Sequence, residues 1–230
     1  MQPRQEQLLK LVIEQHIQTA EPIGSRFLVA EGDLEWSEAT VRNDLRALEE
    51  EGFLTHPHTS AGRVPTSQGY RYYLSTIEWS EAKIPKRDFE QLESTIEQTN
   101  QFESGCKALT KMMVQLSHEM GLFAFSRDSI YYTGLSELFD KPEFAEVEHV
   151  ANVSKMFDNC EEFLNQFIDQ VVEEPKCFVG EEHPFGSMLS VVAVRVPREE
   201  EIMALLGPMR MDYVYNVGLL KKAAELVDNL

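Results

Sequence analysis

Cysteine is scarce in this chain of 230 residues, and long apolar runs are absent. The three cysteines, Cys106, Cys160 and Cys177, are odd in number and far apart, which favours neither a disulfide framework nor a Cys-x-x-Cys metal site. No apolar run reaches the length of a transmembrane helix, and the polar start MQPRQEQ lacks the apolar segment of a secretory signal. We therefore expect a cytoplasmic protein with no membrane partner.

Motifs for catalysis are also missing. The sequence contains no nucleophile motif, phosphate-binding loop, dinucleotide-binding fingerprint or metal-ligand spacing. His56 and His58 have no third ligand near them, and the loop GEEHPFG at 180–186 is typical of a surface. We therefore expect no enzyme activity, no metal and no cofactor.

Basic residues are few, 21 against 39 acidic ones, giving a formal net charge of -18. The first 77 residues hold seven Lys or Arg and eleven Asp or Glu (7 - 11 = -4), so most of the acidity lies beyond them. Residues 52–75 contain no acid at all. A net-acidic body disfavours non-specific DNA binding and leaves affinity to local contacts and to dimerisation.

Residues 36–74 carry the clearest functional pattern. Ser37 is a good N-cap, and Val41, Leu45 and Leu48 then form one apolar stripe, which predicts a helix ending near Gly52. The opposite face holds Ala39, Asn43 and Arg46, flanked by Thr40 and Arg42. Asn and Arg can pair with base edges, and small side chains can meet a thymine methyl. This face is a candidate base-reading surface.

Two short strand-like runs, 53–54 and 64–66, follow that helix and are joined by the loop THPHTSAGR. A helix followed by a hairpin is the plan of a winged helix-turn-helix domain. The candidate DNA contacts are Ser37, Ala39, Thr40, Arg42, Asn43 and Arg46 from the helix, and His58, Thr59, Ser60, Arg63 and Arg71 from the hairpin and the helix after it. An ordinary solvated hairpin followed by a surface helix remains the alternative.

The rest of the N-terminal domain, residues 1–80, reads as helices at 5–19 and 25–30 and a last helix with Tyr70, Tyr73 and Ile77 in its core. A linker and one long amphipathic helix occupy 81–125, with apolar residues from Phe89 to Met120 at near-heptad spacing. That helix either packs on its own domain or pairs across a homodimer, and Leu109 and Leu116 would then lie in the dimer seam.

Residues 126–230 mix strands and helices. Strand-like runs lie at 130–133, 177–180, 189–196 and 202–206, a helical pattern runs from 142 to 171, and Asp212 can cap a final helix. This order predicts an α+β sensor-like domain.

Several motifs together resemble the heat-inducible transcription repressor HrcA family: EPIGSRFL, SEATVRNDLRALEEEGFL, PHTSAGRVPTSQGYR, YYTGLSELFDKPEF, FVGEE and GPMRMDY. The resemblance covers residues 4–77 and 130 to the C-terminus. It implies a GAF-like C-terminal domain, a dimeric repressor of heat-shock chaperone operons on an inverted-repeat operator of double-stranded DNA, and the GroE chaperonin as a partner. The chain departs from the family in Glu38, where Pro is common, and in a shortfall at 120–130 that predicts a smaller sheet.

Two other functions fit the sequence. One is a winged-helix regulator controlled by a small ligand in its GAF-like domain. The other is a protein-interaction module that does not bind DNA.

Overall fold

A computed structural model describes residues 1–31, 34–57, 61–98, 101–196 and 201–228. The chain divides into two compact units, Met1–Ile77 and Glu78–Leu230. The first unit contains α1 (Pro3–Thr19), α2 (Ser25–Glu31), α3 (Glu38–Glu50), β1 (Leu54–Thr55), β2 (Val64–Pro65) and α4 (Ser67–Ser75). The second contains α5 (Lys86–Glu97), α6 (Phe102–Ser117), β3 (Met120–Ser126), β4 (Ser129–Thr133), α7 (Leu135–Phe139), α8 (Val147–Phe157), α9 (Cys160–Phe167), β5 (Lys176–Val179), β6 (Leu189–Arg195), β7 (Ile202–Pro208) and α10 (Tyr213–Asp228).

The core of the first unit forms where the apolar stripe of α1 meets that of α3. Its fully or nearly fully buried side chains are Leu8, Leu9, Val12, Ile13, Leu28, Val41, Leu45 and Leu48. Strands β1 and β2 pair antiparallel, with Leu54 opposite Pro65. In α4, Tyr70 and Leu74 are buried. Tyr73 is half-buried, and Ile77 lies beyond the end of the helix and is also half-buried, so the expectation that both lie in the core is wrong.

The second unit has three layers around one antiparallel sheet of five strands in the order β4-β3-β7-β6-β5. One face of the sheet, with Leu122, Val191 and Ala204, packs against α7, α8 and α9 in a continuous apolar core. The other face packs against α6 and α10, and α5 lies on both of these helices. This α+β arrangement is compatible with a GAF-like domain.

The prediction of one long helix from Phe89 to Met120 is wrong. Two helices, α5 and α6, cover this stretch, and Met120 begins β3. His118 ends α6 in the left-handed conformation with φ 54°, and the first strand residues are buried on both faces of the sheet. An apolar run buried on both faces has no period of two, so the sequence pattern could not separate strand from helix there.

The predicted dimer seam lies inside the second unit. Leu92, Cys106, Leu109 and Met113 are all 0% exposed, because α5 and α6 pack on each other and on α10. The helix-on-its-own-domain alternative is therefore the one observed, and the predicted connecting segment 81–125 belongs to the second unit. The short segment 120–130, where a loss of sheet was expected, supplies β3 and its turn into β4.

Candidate nucleic-acid interface

Helix α3 begins where the sequence predicts. The Ser37 hydroxyl accepts a hydrogen bond from the Thr40 backbone N–H at 3.2 Å and lies 2.9 Å from the Thr40 hydroxyl, so both side chains hold the first turn. The helix buries Val41, Asp44, Leu45 and Leu48 and exposes Ala39, Arg42, Asn43 and Arg46. These four exposed residues, called the α3 face below, lie within one third of the helix circumference, since 3.6 residues make a turn.

Asp44 is a buried acid that the sequence patterns did not single out. Its carboxylate accepts two hydrogen bonds from Arg4, from Nε at 2.6 Å and from Nη2 at 3.1 Å. The Arg4 guanidinium also lies 5.9 Å from the centre of the Trp36 ring. Such a two-pronged pair fixes both partners in direction, so the start of α1 orients α3 from its inner side. An acid in the middle of an apolar stripe was the available signal.

The arginines of the α3 face are paired within the helix. Arg42 Nη2 lies 2.6 Å from Glu38 Oε1, and Arg46 Nε lies 3.0 Å from Glu50 Oε1. Both pairs have the i, i+4 spacing that brings side chains together on a helix surface. Asn43, between them on the same face, is exposed.

The base of the hairpin is joined to the chain between α1 and α2. Ile23 and Arg63 exchange two backbone hydrogen bonds of 2.8 Å each. A Cβ on Gly62 would lie 2.5 Å from the Ile23 carbonyl carbon, so only glycine permits this approach. The segment around Ile23 and the segment around Arg63, 40 residues further along the sequence, therefore meet here.

Arg63 lies at this base and not at the loop tip. Its Nε is 2.8 Å from Glu49 Oε2, and the other oxygen of Glu49 contacts His56 Nδ1. All three side chains are half-buried. The candidate contacts His58, Thr59 and Ser60 lie outside the described residues, and Arg71 is half-buried on α4.

A depression of about 450 Å³ lies between α2, α3 and the hairpin base. Arg26, Arg42 and Arg63 line it together with Glu38. Arg26, which the sequence patterns did not single out, is exposed and has no ion pair within the described part of the chain. The structure thus adds Arg26 to the four arginines, Arg42, Arg46, Arg63 and Arg71, that the sequence places at the DNA surface.

The motif GPMRMDY in the second unit forms a buried charge cluster. Glu119, 4% exposed, forms an ion pair with Lys141, and Arg210 pairs with Glu143, with its Nη2 3.1 Å from Oε2. Burial raises the pKa of Glu119 to about 7, although Lys141 and Arg210 lower it. A Cβ on Gly207 would overlap the Glu119 carboxylate. Gly207 therefore leaves room for the Glu119 carboxylate, and Arg210 supplies a nearby positive charge.

Of two further predictions in the second unit, one agrees with the structure and the other does not. Asp212 caps α10 as expected, accepting a hydrogen bond from the Tyr215 backbone N–H at 3.0 Å. His183, expected on a surface loop, is buried, and its Nε2 lies 3.0 Å from the Leu189 carbonyl. Burial lowers the pKa of His183 to about 4, which leaves a neutral structural side chain at pH 7.

A second concave surface in this unit is apolar. It measures about 240 Å³, lies between α8, α9 and the loop 184–189, and is lined by Val153, Met156, Phe163, Phe185 and Met188 among others. No helix in the described part of the chain is long and apolar enough to cross a membrane.

A capped helix with an exposed Asn and Arg face, a hairpin joined to its own unit and a separate α+β unit define a two-unit protein with a candidate nucleic-acid interface. Residues 77–215 match the family described as HrcA protein C terminal domain. The match covers more than half of the chain. The chain therefore belongs to the HrcA family.

Relatives with the same family name match stretches of this chain. The heat-inducible transcription repressor HrcA of Chloroflexus aurantiacus is 42% identical over 113 residues, 46% of this chain and 30% of the relative. That of Bifidobacterium animalis subsp. lactis is 54% identical over 74 residues, 32% of this chain and 20% of the relative. The matches thus span about a third or less of the relatives' length.

One solved structure shares the fold. A crystal structure described as that of a hypothetical protein superposes with a TM-score of 0.74 at 15% identity, covering 100% of this chain and 97% of the other. At this identity the likeness concerns the fold alone.

Proposed function

We propose that the chain is a dimeric transcriptional repressor of heat-shock chaperone operons, and that its first unit is a winged helix-turn-helix domain reading an inverted-repeat operator. The α3 face carries the proposal, because it presents an Asn and two Arg side chains on a helix fixed by Ser37 and Asp44. Relatives of this chain are named heat-inducible transcription repressors, which supports the regulated genes proposed here.

The residues take two roles in this proposal. Asn43 and Arg46 enter the major groove, where Asn pairs with an adenine edge and Arg with a guanine edge. Arg63 and Arg26, at the hairpin base and on α2, contact the DNA backbone. Base contacts specify the sequence, and backbone contacts position the protein.

Replacement of Arg46 by Ala separates these roles. It should cost roughly 1 to 3 kcal/mol on the operator and relax the preference at one base pair, with less effect on scrambled duplex. Arg63→Ala should weaken binding to both duplexes and lower the salt slope by about 1. Gel shifts or fluorescence anisotropy at several salt concentrations measure both effects.

A matched control is Lys10→Ala. Lys10 is an exposed basic side chain on α1 that pairs with Glu14 at 3.8 Å and does not belong to the α3 face. It should leave the operator preference unchanged. If Arg46→Ala weakens all sequences equally, α3 is not the reading helix.

The homodimer and the GroE chaperonin complete the proposal. An inverted repeat requires two readers related by a two-fold axis. Sedimentation of the free protein should give a dimer, and a monomer at concentrations that saturate the operator would contradict it. If chaperonin is a partner, adding GroE should raise the DNA-competent fraction of the protein.

A second candidate function is a winged-helix regulator controlled by a small ligand in the second unit. The apolar surface lined by Met156, Phe163 and Phe185 favours it, because ligand sites are concave and mostly apolar. A thermal-shift screen with apolar metabolites tests this candidate. A saturable shift that is lost in Met156→Glu would support it, and no shift at any concentration would count against it.

A further inference from the structure

Three of the arginines that the sequence places at the DNA surface already have an acidic partner. The pairs are Arg42 with Glu38 at 2.6 Å, Arg46 with Glu50 at 3.0 Å and Arg63 with Glu49 at 2.8 Å. Arg42 and Arg46 donate hydrogen bonds to these carboxylates from groups that DNA would need, and Glu49 lies at ion-pair distance from Arg63. The surface is therefore charge-compensated before any DNA arrives.

The three pairs differ in exposure, and so in how readily they exchange. Side chains of Arg46 and Glu50 are 75% and 66% exposed, whereas those of Arg63 and Glu49 are 22% and 24% exposed. Exposed pairs contribute little net free energy, so DNA displaces their carboxylate easily. A half-buried carboxylate is less screened by solvent and holds its arginine more strongly.

Glu38 is the pair member best placed to affect DNA binding. The Glu38 side chain is 38% exposed and lies on the wall of the depression between α2, α3 and the hairpin base. Its carboxylate contacts Arg42 and accepts a hydrogen bond from the Ser25 hydroxyl at 3.3 Å. Arg26 lines the same depression without an ion pair within the described residues. One arginine there is available at once, and another must first leave Glu38.

We propose that Glu38 and Glu49 compete with DNA phosphates for Arg42 and Arg63, so that docking on DNA exchanges one anionic partner of each arginine for another. This inference rests on the proposed DNA-binding function. Each exchange releases fewer counterions than a free arginine would, because the freed carboxylate remains beside the phosphate. The competition lowers affinity for every DNA sequence and leaves discrimination to Asn43 and the other base contacts.

Glu38→Gln tests the competition directly, since the amide keeps the size of the side chain and removes its charge. We expect binding to operator and to scrambled duplex to tighten about two- to fivefold at low salt. The slope of log Kobs against log salt should steepen by up to about 0.9. The ratio of operator to scrambled affinity should stay the same.

Two further variants distinguish local competition from a general change of charge. Glu14→Gln removes one negative charge from the same unit, at a glutamate paired with Lys10 on α1, and should leave affinity and slope nearly unchanged. Glu38→Gln in an Arg42→Gln background should give no gain, because no arginine is released. Thermal unfolding of all variants checks that α3 retains its first turn without the Glu38 charge.

The outcomes are separable. Equal gains for Glu38→Gln and Glu14→Gln, or a gain that persists without Arg42, would overturn the competition while leaving DNA binding in place. If neither the wild-type protein nor Glu38→Gln binds operator or scrambled duplex at low salt, the proposed function itself fails.

Discussion

Replacing Gly207 with Ala perturbs the charge cluster of the second unit where the backbone lies against the carboxylate of Glu119. Gly207 lies in β7 without a positive φ, so alanine brings no backbone strain there. The added methyl would instead overlap the Glu119 carboxylate, which is 4% exposed and paired with Lys141. The carboxylate must move, and its ion pair is lost.

The loss of stability caused by Gly207→Ala depends on pH, because burial raises the pKa of Glu119 to about 7. At pH 8 the displaced group is charged, and breaking a buried pair costs about 3 to 5 kcal/mol. At pH 6 the carboxyl is largely protonated, and an unsatisfied neutral group costs about 1 to 3 kcal/mol. We therefore expect Gly207→Ala to destabilise the second unit more at pH 8 than at pH 6.

Urea unfolding, monitored through hydrogen exchange of the β3 and β7 amides, measures the free energy of unfolding of the second unit alone. Glu119→Ala makes room for the methyl, so Gly207→Ala should cost little more once Glu119→Ala is present. Additive costs in this double-mutant cycle, or a Gly207→Ala cost below about 0.5 kcal/mol at both pH values, would refute the steric argument.

Three further predictions concern single residues. Burial lowers the pKa of His183 from 6.5 to about 4, so its contribution to the free energy of unfolding is full above pH 6.5 and falls by about 3 kcal/mol as the pH drops to 4. His183→Gln should remove that part of the acid dependence in urea unfolding. An unchanged dependence of the unfolding free energy on pH would contradict this prediction. Leu109→Glu buries an unpaired charge at a fully buried position, so circular dichroism should show that the second unit unfolds. A variant that stays folded but becomes monomeric would instead indicate that Leu109 lies in the dimer interface. Gly62→Ala should break the hydrogen bonds between Ile23 and Arg63, speed exchange of both amides and weaken DNA binding, and unchanged exchange would show that the hairpin base can adapt.

Local signals in the sequence were enough to place α3, its Ser37 cap, its buried stripe and the Asp212 cap of α10. The strands β4 to β7 also fall where the apolar runs predict them. These features depend on hydrogen bonds and side-chain periods that span four residues or fewer, so the sequence alone determines them.

Charge environment is what only the tertiary structure decided. The stretch 52–75 has no acid of its own, yet the fold brings Glu49 against Arg63 and His56. Arg210 finds Glu143, 67 residues away, and the break between α5 and α6 buries a seam that the heptad spacing left open to a partner. Ion pairs of this kind depend on distance in space. The spacing of residues along the chain does not predict which distant carboxylate will lie beside a given arginine in the folded protein.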